Sequence, residues 1–369
     1  MTTLLSTSRP PRGTLGRREL TWFLALSMAL AALGIDVMLP AFGAIREGFG
    51  LPETSTAVTG VLTTYFLGLA AGQLLYGPIA DRFGRKPTLG VGYAVYGLGA
   101  LASALAPTLP ALLAARFLWG IGAAGPRVVT QAVIRDTFEG EEMSRAMSMI
   151  MAVFILVPVI APTMGAAVIT VVSWRWLFAI CVAAVLAVSV WSRRLQETLR
   201  EEHRIPQLRF GRIAQAARLV VSNRQTVAYS LAMTFLWGAF TGYLGSSEII
   251  VSEVYGLPTA FPVVFGGLAL FMGAGMLVNA RVVRRLGVRR LAHGVLVAYI
   301  GLASVLAAIV FTAGGRPPFP LLLAALAAML LCQALLVPNL NTIAMTPMAA
   351  IAGTAASVVG SVQIALGAT

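Results

Sequence analysis

Apolar residues in this chain gather in long stretches, and polar residues collect in the short breaks between them. The stretches predict helices at 21–41, 57–79, 88–106, 110–134, 145–171, 174–191, 225–246, 261–281, 290–312, 319–341 and 349–369. Each approaches or exceeds the about 20 residues that a helix needs to cross a hydrocarbon layer. The pattern therefore predicts an all-α membrane protein with about eleven spans. The competing reading, a large soluble protein with an oversized core, fails on composition. Hydrophobic residues make up 58% of the chain and charged residues 11%, with a mean hydropathy of +0.85, whereas soluble domains are about a quarter charged. The basic stretch from Arg9 to Arg18 precedes the first apolar run. A secretory signal has a shorter apolar region and a small-residue cleavage site, so this run reads as the first span.

Net charge changes the picture only through its position. A charge of +13 would suit nucleic acid, but the basic residues lie between the apolar stretches. The N-terminus and the breaks after spans two, four, six and eight hold nearly all of the Arg and Lys outside the spans. The opposite breaks hold only Arg46, Arg175 and Arg316. By the positive-inside rule the N-terminus is cytoplasmic, in a multi-pass protein of the inner (plasma) membrane with no nucleic-acid partner. The Arg-rich segment 192–224, amphipathic between Leu195 and Leu219, is predicted to lie along the cytoplasmic surface. It divides the chain into a tail (1–20), a six-helix half (21–191), the linker (192–224) and a five-helix half (225–369).

The halves carry a repeat. Gly77-Pro-Ile-Ala-Asp-Arg-Phe-Gly-Arg-Lys86 follows span two, and Ala280-Arg-Val-Val-Arg-Arg-Leu-Gly-Val-Arg289 follows span eight. Aligning Gly84 with Gly287 gives an offset of 287 − 84 = 203 residues. Parallel six-helix halves around a midplane cavity are one plan for transporters. The same offset carries the end of span six to 191 + 203 = 394, beyond residue 369 by about one span. The expectation is a two-half bundle with eleven spans present and the twelfth missing, either cut off or never part of an eleven-helix variant.

Several motifs resemble those of the major facilitator superfamily over essentially the whole chain. The loop from Gly77 to Lys86 looks like its signature between helices two and three. Arg116-Phe-Leu-Trp-Gly120-Ile-Gly122 resembles its helix-four motif, and Ala161-Pro162-Thr-Met-Gly165 its helix-five antiporter motif, with Val157, Ala161 and Ala166 standing where glycines are usual. Asp36-Val-Met-Leu-Pro40, Ile134-Arg135-Asp136 and Val337-Pro338-Asn339 are similar to drug:proton antiporters of the Bcr/CflA type. The resemblance implies that Asp81, Arg85 and Asp136 form a cytoplasmic gate, with Arg82 and Lys86, that latches the outward-facing state. Gly77 would then allow a close helix approach and Gly84 a tight turn. The plainer reading of these charges is orientation and solvation.

The chemistry centres on Asp36, an acid inside an apolar span, where such residues are costly and usually functional. It lies ~22 Å from the cytoplasmic side, and Arg116 on span four lies ~21 Å from the same face, at 1.5 Å per residue. The two are expected to face one cavity and to interact directly or through water. A carboxyl placed between desolvation and a guanidinium is suited to exchanging a proton. The alternative is a static ion pair holding two helices together. Pro158, Pro162 and Gly165 mark a hinge or a fixed kink in span five. Tyr65, Arg127, Gln131, Trp237 and Tyr243 are candidates for a solute cavity, against packing, snorkelling or interface anchoring. Glu248 counts out to the outer boundary and is expected to be solvent-exposed.

Cys181 and Cys332 sit apart in apolar runs, and His203 and His293 in basic breaks, so neither a metal site nor a disulfide is expected. An ATP-driven pump needs a Gly-Lys-Ser/Thr phosphate loop, but the lone lysine, Lys86, precedes Pro87. No cofactor or enzymatic activity is expected. A channel would need a filter segment that does not appear. The sequence thus predicts a monomeric, proton-coupled exporter of small amphipathic, drug-like compounds. The alternatives are a metabolite transporter of the same fold with another coupling ion, or a membrane sensor or structural protein.

Overall fold

The structure, a computed structural model, describes residues 15–52, 55–205 and 210–369. The basic tail before residue 15 and part of the 192–224 linker lie outside the described residues. The described residues form helices α1 (Arg17–Asp36), α2 (Phe42–Gly48), α3 (Gly60–Phe83), α4 (Arg85–Leu105), α5 (Leu109–Thr137), α6 (Gly140–Ile169) and α7 (Arg175–Ser192). The short α8 (Phe210–Ser222) follows, then α9 (Arg224–Ile249), α10 (Phe261–Leu286), α11 (Val288–Thr312), α12 (Phe319–Met345) and α13 (Ala352–Gly367). Ten of these stretches are long and apolar enough to cross a membrane, and α13 adds a shorter apolar helix at the expected eleventh place.

Most expected boundaries hold to within a few residues, and the departures have local causes. The 21–41 run becomes a helix that starts at Arg17 and stops at Asp36, followed by a 3₁₀ turn at Leu39–Ala41. Pro40 disfavours helical backbone at Leu39, so the chain turns there and re-forms as α2. The run from 225 extends past 246 to Ile249 and on through a π turn to Val254.

Small residues set the tightest packing. A Cβ on Gly68 would stand 2.0 Å from the Phe117 carbonyl oxygen, and one on Gly120 2.0 Å from that of Tyr65, so α3 and α5 touch backbone to backbone. Gly99 and Gly122 do the same for α4 against α5. The N-terminal helices α1–α7 and the C-terminal helices α9–α13 then meet along α3 with α13 and α6 with α10. One apolar core runs through both sets, and a smaller cluster around Leu236, Ala292, Leu336 and Leu340 fills the C-terminal set.

The repeat has a structural counterpart. Gly84 separates α3 from α4 at φ 107° and ψ 159°, and Gly287 separates α10 from α11 at φ 77° and ψ 154°. Both turns need glycine, because side chains rarely adopt positive φ in this region. They lie with Arg17 and residues 193–205 at what is here termed the basic end of the bundle.

Candidate functional site

Asp36 is the last residue of α1 and is 4% exposed. Its carboxyl stands at the negative end of the helix dipole, where negative charge is disfavoured. Arg116 is fully buried on α5, level with the end of α1. Its Nη1 donates to the Gly34 carbonyl at 2.9 Å, two residues from Asp36, and its Nε to the Val61 carbonyl at 3.2 Å. The direct Asp36–Arg116 ion pair does not form. The last carbonyls of a helix lack intrahelical partners, and the guanidinium satisfies one of them on α1. The rings of Tyr65 and Trp119, set edge to face, lie 4.5 and 4.6 Å from it. Its Nη2 is buried without a partner, and Asp36 makes no ion pair or hydrogen bond within the described residues. An enclosed acid with no partner among the described residues thus ends α1, two residues past the carbonyl that Arg116 holds, and Arg116 keeps one donor to spare.

Gly165 bears on the same place. A Cβ there would stand 2.1 Å from the Val37 carbonyl oxygen, so α6 contacts the chain just past Asp36. Pro158 and Pro162 lie inside a helix that runs unbroken from Gly140 to Ile169.

The proposed cavity residues separate. Tyr65 is fully buried, donates its hydroxyl to the Ala31 carbonyl at 3.0 Å and packs on Trp119. It braces α1. Trp237 meets Phe66 at 5.8 Å, bringing α9 against α3. Tyr243 stacks on Phe265 at 5.7 Å and lines an apolar cavity of about 200 Å³ with Phe261 and Phe319. Arg127 is half-buried and Gln131 exposed; the structure does not bring them to Asp36. Asn339 is buried and donates to Asn279 Oδ1 at 2.7 Å, tying α12 to α10.

The charges at the basic end do come together. Arg85 donates through Nη1 to Asp81 at 2.5 Å and through Nε to Asp136 at 2.9 Å, so one buried guanidinium ties the end of α3 to α5. Lys86 Nζ donates to the Arg193 carbonyl at 2.9 Å, and Arg82 lies over the Phe83 ring. Asp81 also borders a cavity of about 170 Å³ with Gly353 and Thr354 of α13, so the cluster faces the C-terminal set.

Two expectations need correction, one at this end and one at the other. A Cβ on Gly77 would meet nothing within 4 Å. This glycine borders the same cavity, and the close approaches fall at Gly68 and Gly72, which face α5. Glu197, which sequence reasoning passed over, accepts from the backbone N–H of Arg85 at 2.8 Å and of Lys86 at 3.2 Å. It caps the first turn of α4 from 112 positions away. Its only sequence signal is an acid within the Arg-rich segment from 193 to 204. Glu248, expected to be exposed, is 7% exposed, and the 3₁₀ turn at Leu39–Ala41 packs against its helix α9. The second copy of the repeat carries no matching cluster: Arg284 and Arg285 are exposed and Arg284 donates to the Ala280 carbonyl.

The profile of the Major Facilitator Superfamily matches residues 24–368. Among curated proteins, the chain is 32% identical over 264 residues to the uncharacterized MFS-type transporter YdgK of Bacillus subtilis, covering 70% of this chain and 65% of that protein. It is 33% identical to the bicyclomycin resistance protein homolog of Haemophilus influenzae (63% and 58% covered). It is 30% identical to a chloramphenicol resistance protein of Pseudomonas aeruginosa (66% and 59% covered). In each case the match spans less than two thirds of the relative's length. The fold is shared with a D-xylose-proton symporter, at TM-score 0.75 and 15% identity over 94% of this chain and 87% of that one. It is also shared with a bacterial homolog of the lysosomal transporter Spinster, at TM-score 0.72 and 17% identity over 98% and 81%.

Proposed function

This chain belongs to the major facilitator superfamily, and we propose that it exports small amphipathic compounds in exchange for protons. The observation that carries this reading is Asp36, enclosed at the end of α1 with no partner among the described residues, while Arg116 holds the Gly34 carbonyl two residues before it. An unpaired buried carboxylate is costly, so Asp36 is stable when protonated or when a bound solute supplies a countercharge or hydrogen bonds. Solute and proton then compete for one place, which is the requirement for exchange. The relatives named for bicyclomycin and chloramphenicol resistance support a drug-like solute.

In this reading the basic end is cytoplasmic, the protein is a multi-pass monomer of the inner membrane, and the 192–224 segment links its two halves on the cytoplasmic face. The cluster of Arg85, Asp81 and Asp136, capped by Glu197, latches that face, and Phe66, Trp237 and Tyr243 supply apolar surface for the solute. Pro158 and Pro162, beside the Gly165 contact, are the hinge. Arg127 and Gln131 belong to the inner vestibule.

The test is flux in proteoliposomes with an imposed proton gradient, using chloramphenicol and a panel of cationic and neutral amphipathic compounds. The expected result is gradient-dependent accumulation that Asp36→Asn uncouples. Uptake of polar metabolites with no response to the panel would favour metabolite transport with another coupling ion.

A further inference from the structure

The end of the bundle opposite the basic turns holds an ionic cluster that the proposed exchange does not use. Arg46, on α2, is 6% exposed, and its Nη1 lies 2.8 Å from Glu253 Oε1 beyond α9. The pair joins the N-terminal set of helices to the C-terminal set across 207 positions. Glu248, near the end of α9, is equally enclosed, and its Oε2 is buried without a hydrogen-bond partner. The charged groups that act on it are Glu253, on the continuation of its own helix, and Arg46 across the interface. Ser252 is the hydroxyl beside it, and α10, α12 and α13 bring no charge to it. Glu248 lies 24 residues beyond Arg224, about 36 Å along the helix and past a hydrocarbon core of about 30 Å. Water therefore reaches it once the two sets of helices part at this end.

An enclosed carboxylate with a bare oxygen is costly as an anion, and the nearby guanidinium already engages Glu253. We propose that Glu248 is a second proton-binding site, and that with the Arg46–Glu253 bridge it forms an outer gate that closes with uptake of one proton. In the open state Glu248 is solvated and ionised. On closing, its carboxylate takes one proton from the outer solution, and on reopening it returns that proton to the same side. Glu248 thus sets the pH dependence of closure and leaves the exchange stoichiometry to Asp36. The closed state holds the extra proton, so acid favours closure, by up to about tenfold in the closed-to-open ratio per pH unit.

The inference rests on the proposed transport cycle only in requiring that this end open, so its test reads distance instead of flux. Spin labels at Ala57→Cys and Thr259→Cys, one on each set of helices, report closure by double electron–electron resonance between about pH 5.5 and 8.5. The chain labelled but otherwise unaltered should shift toward the short distance as pH falls. Glu248→Gln should be closed at every pH. Glu253→Gln should lose closed population at each pH and keep the slope. Asp36→Asn should keep the slope as well. A slope unchanged in Glu248→Gln, a slope lost in Asp36→Asn, or a single distance at every pH would overturn the proposal. Loss of solute flux alone would strike the exchange reading and leave this one standing.

Discussion

Replacing Gly84 by alanine tests the turn that builds the charge cluster at the basic end. At φ 107° and ψ 159° the backbone lies in a region essentially reserved for glycine, and a side chain there costs about 1–3 kcal/mol. A Cβ would also stand 2.4 Å from Glu197 Oε2, forcing out the carboxylate that caps α4. Loss of a helix cap costs about 1 kcal/mol, so Gly84→Ala should destabilise by about 2–4 kcal/mol in all. Two controls separate the terms. Gly287 shares the positive φ but has nothing within 4 Å of its Cβ position, so Gly287→Ala should cost only the backbone strain, about 1–3 kcal/mol. Gly77 has neither constraint and lies within α3, so Gly77→Ala should be neutral or stabilising by up to about 1 kcal/mol. Thermal unfolding midpoints in detergent should rank Gly77→Ala highest, then Gly287→Ala, then Gly84→Ala. In the background of Glu197→Ala the extra loss at Gly84 should vanish, a non-additivity of about 1 kcal/mol. Equal midpoints for the Gly84 and Gly77 variants would refute the reasoning.

Three further outcomes follow from the packing. Arg85→Gln removes the donor shared by Asp81 and Asp136 and should weaken closure of the basic end by about 1–2 kcal/mol, discounted for the exposure of Asp81; slower cysteine cross-linking between α3 and α13 would report it. Gly120→Ala places a methyl against the Tyr65 carbonyl and should cost about 1–3 kcal/mol or more by overpacking, visible as a lower thermal midpoint with little change in gate distances. Tyr65→Phe should lose about 1 kcal/mol of stability with solute affinity unchanged, whereas Trp237→Ala should weaken solute binding with little loss of stability; tryptophan-independent binding by equilibrium dialysis separates the two.

The spans were readable because hydropathy is a local property, and Pro40 carried in plain sight the reason α1 stops at Asp36. That Arg116 lies level with the end of α1 was readable from rise per residue. Its partner was not, because depth leaves the rotation of each helix about its axis undetermined, and that rotation turns the guanidinium to the Gly34 carbonyl. The same gap explains Gly77 and Glu248. A loop motif suggested the first as the close contact, yet the faces that meet place it at Gly68 and Gly72. Counting residues put Glu248 at the boundary, but only the fold brings the 3₁₀ turn at Leu39–Ala41 against its helix. Glu197 caps a helix 112 positions away, a pairing that no local pattern encodes. The meeting of Asp81, Arg85 and Asp136 was legible because charge put the loop and the end of α5 on one face and the resemblance pointed to the same residues.

The central claim is that solute and proton compete at Asp36. The most direct measurement is proton release from the purified protein in weakly buffered detergent when the best-transported compound of the flux panel is added. The account predicts release of up to about one proton per bound solute in the unaltered chain, and binding without release in Asp36→Asn. Equal release from both proteins would contradict it.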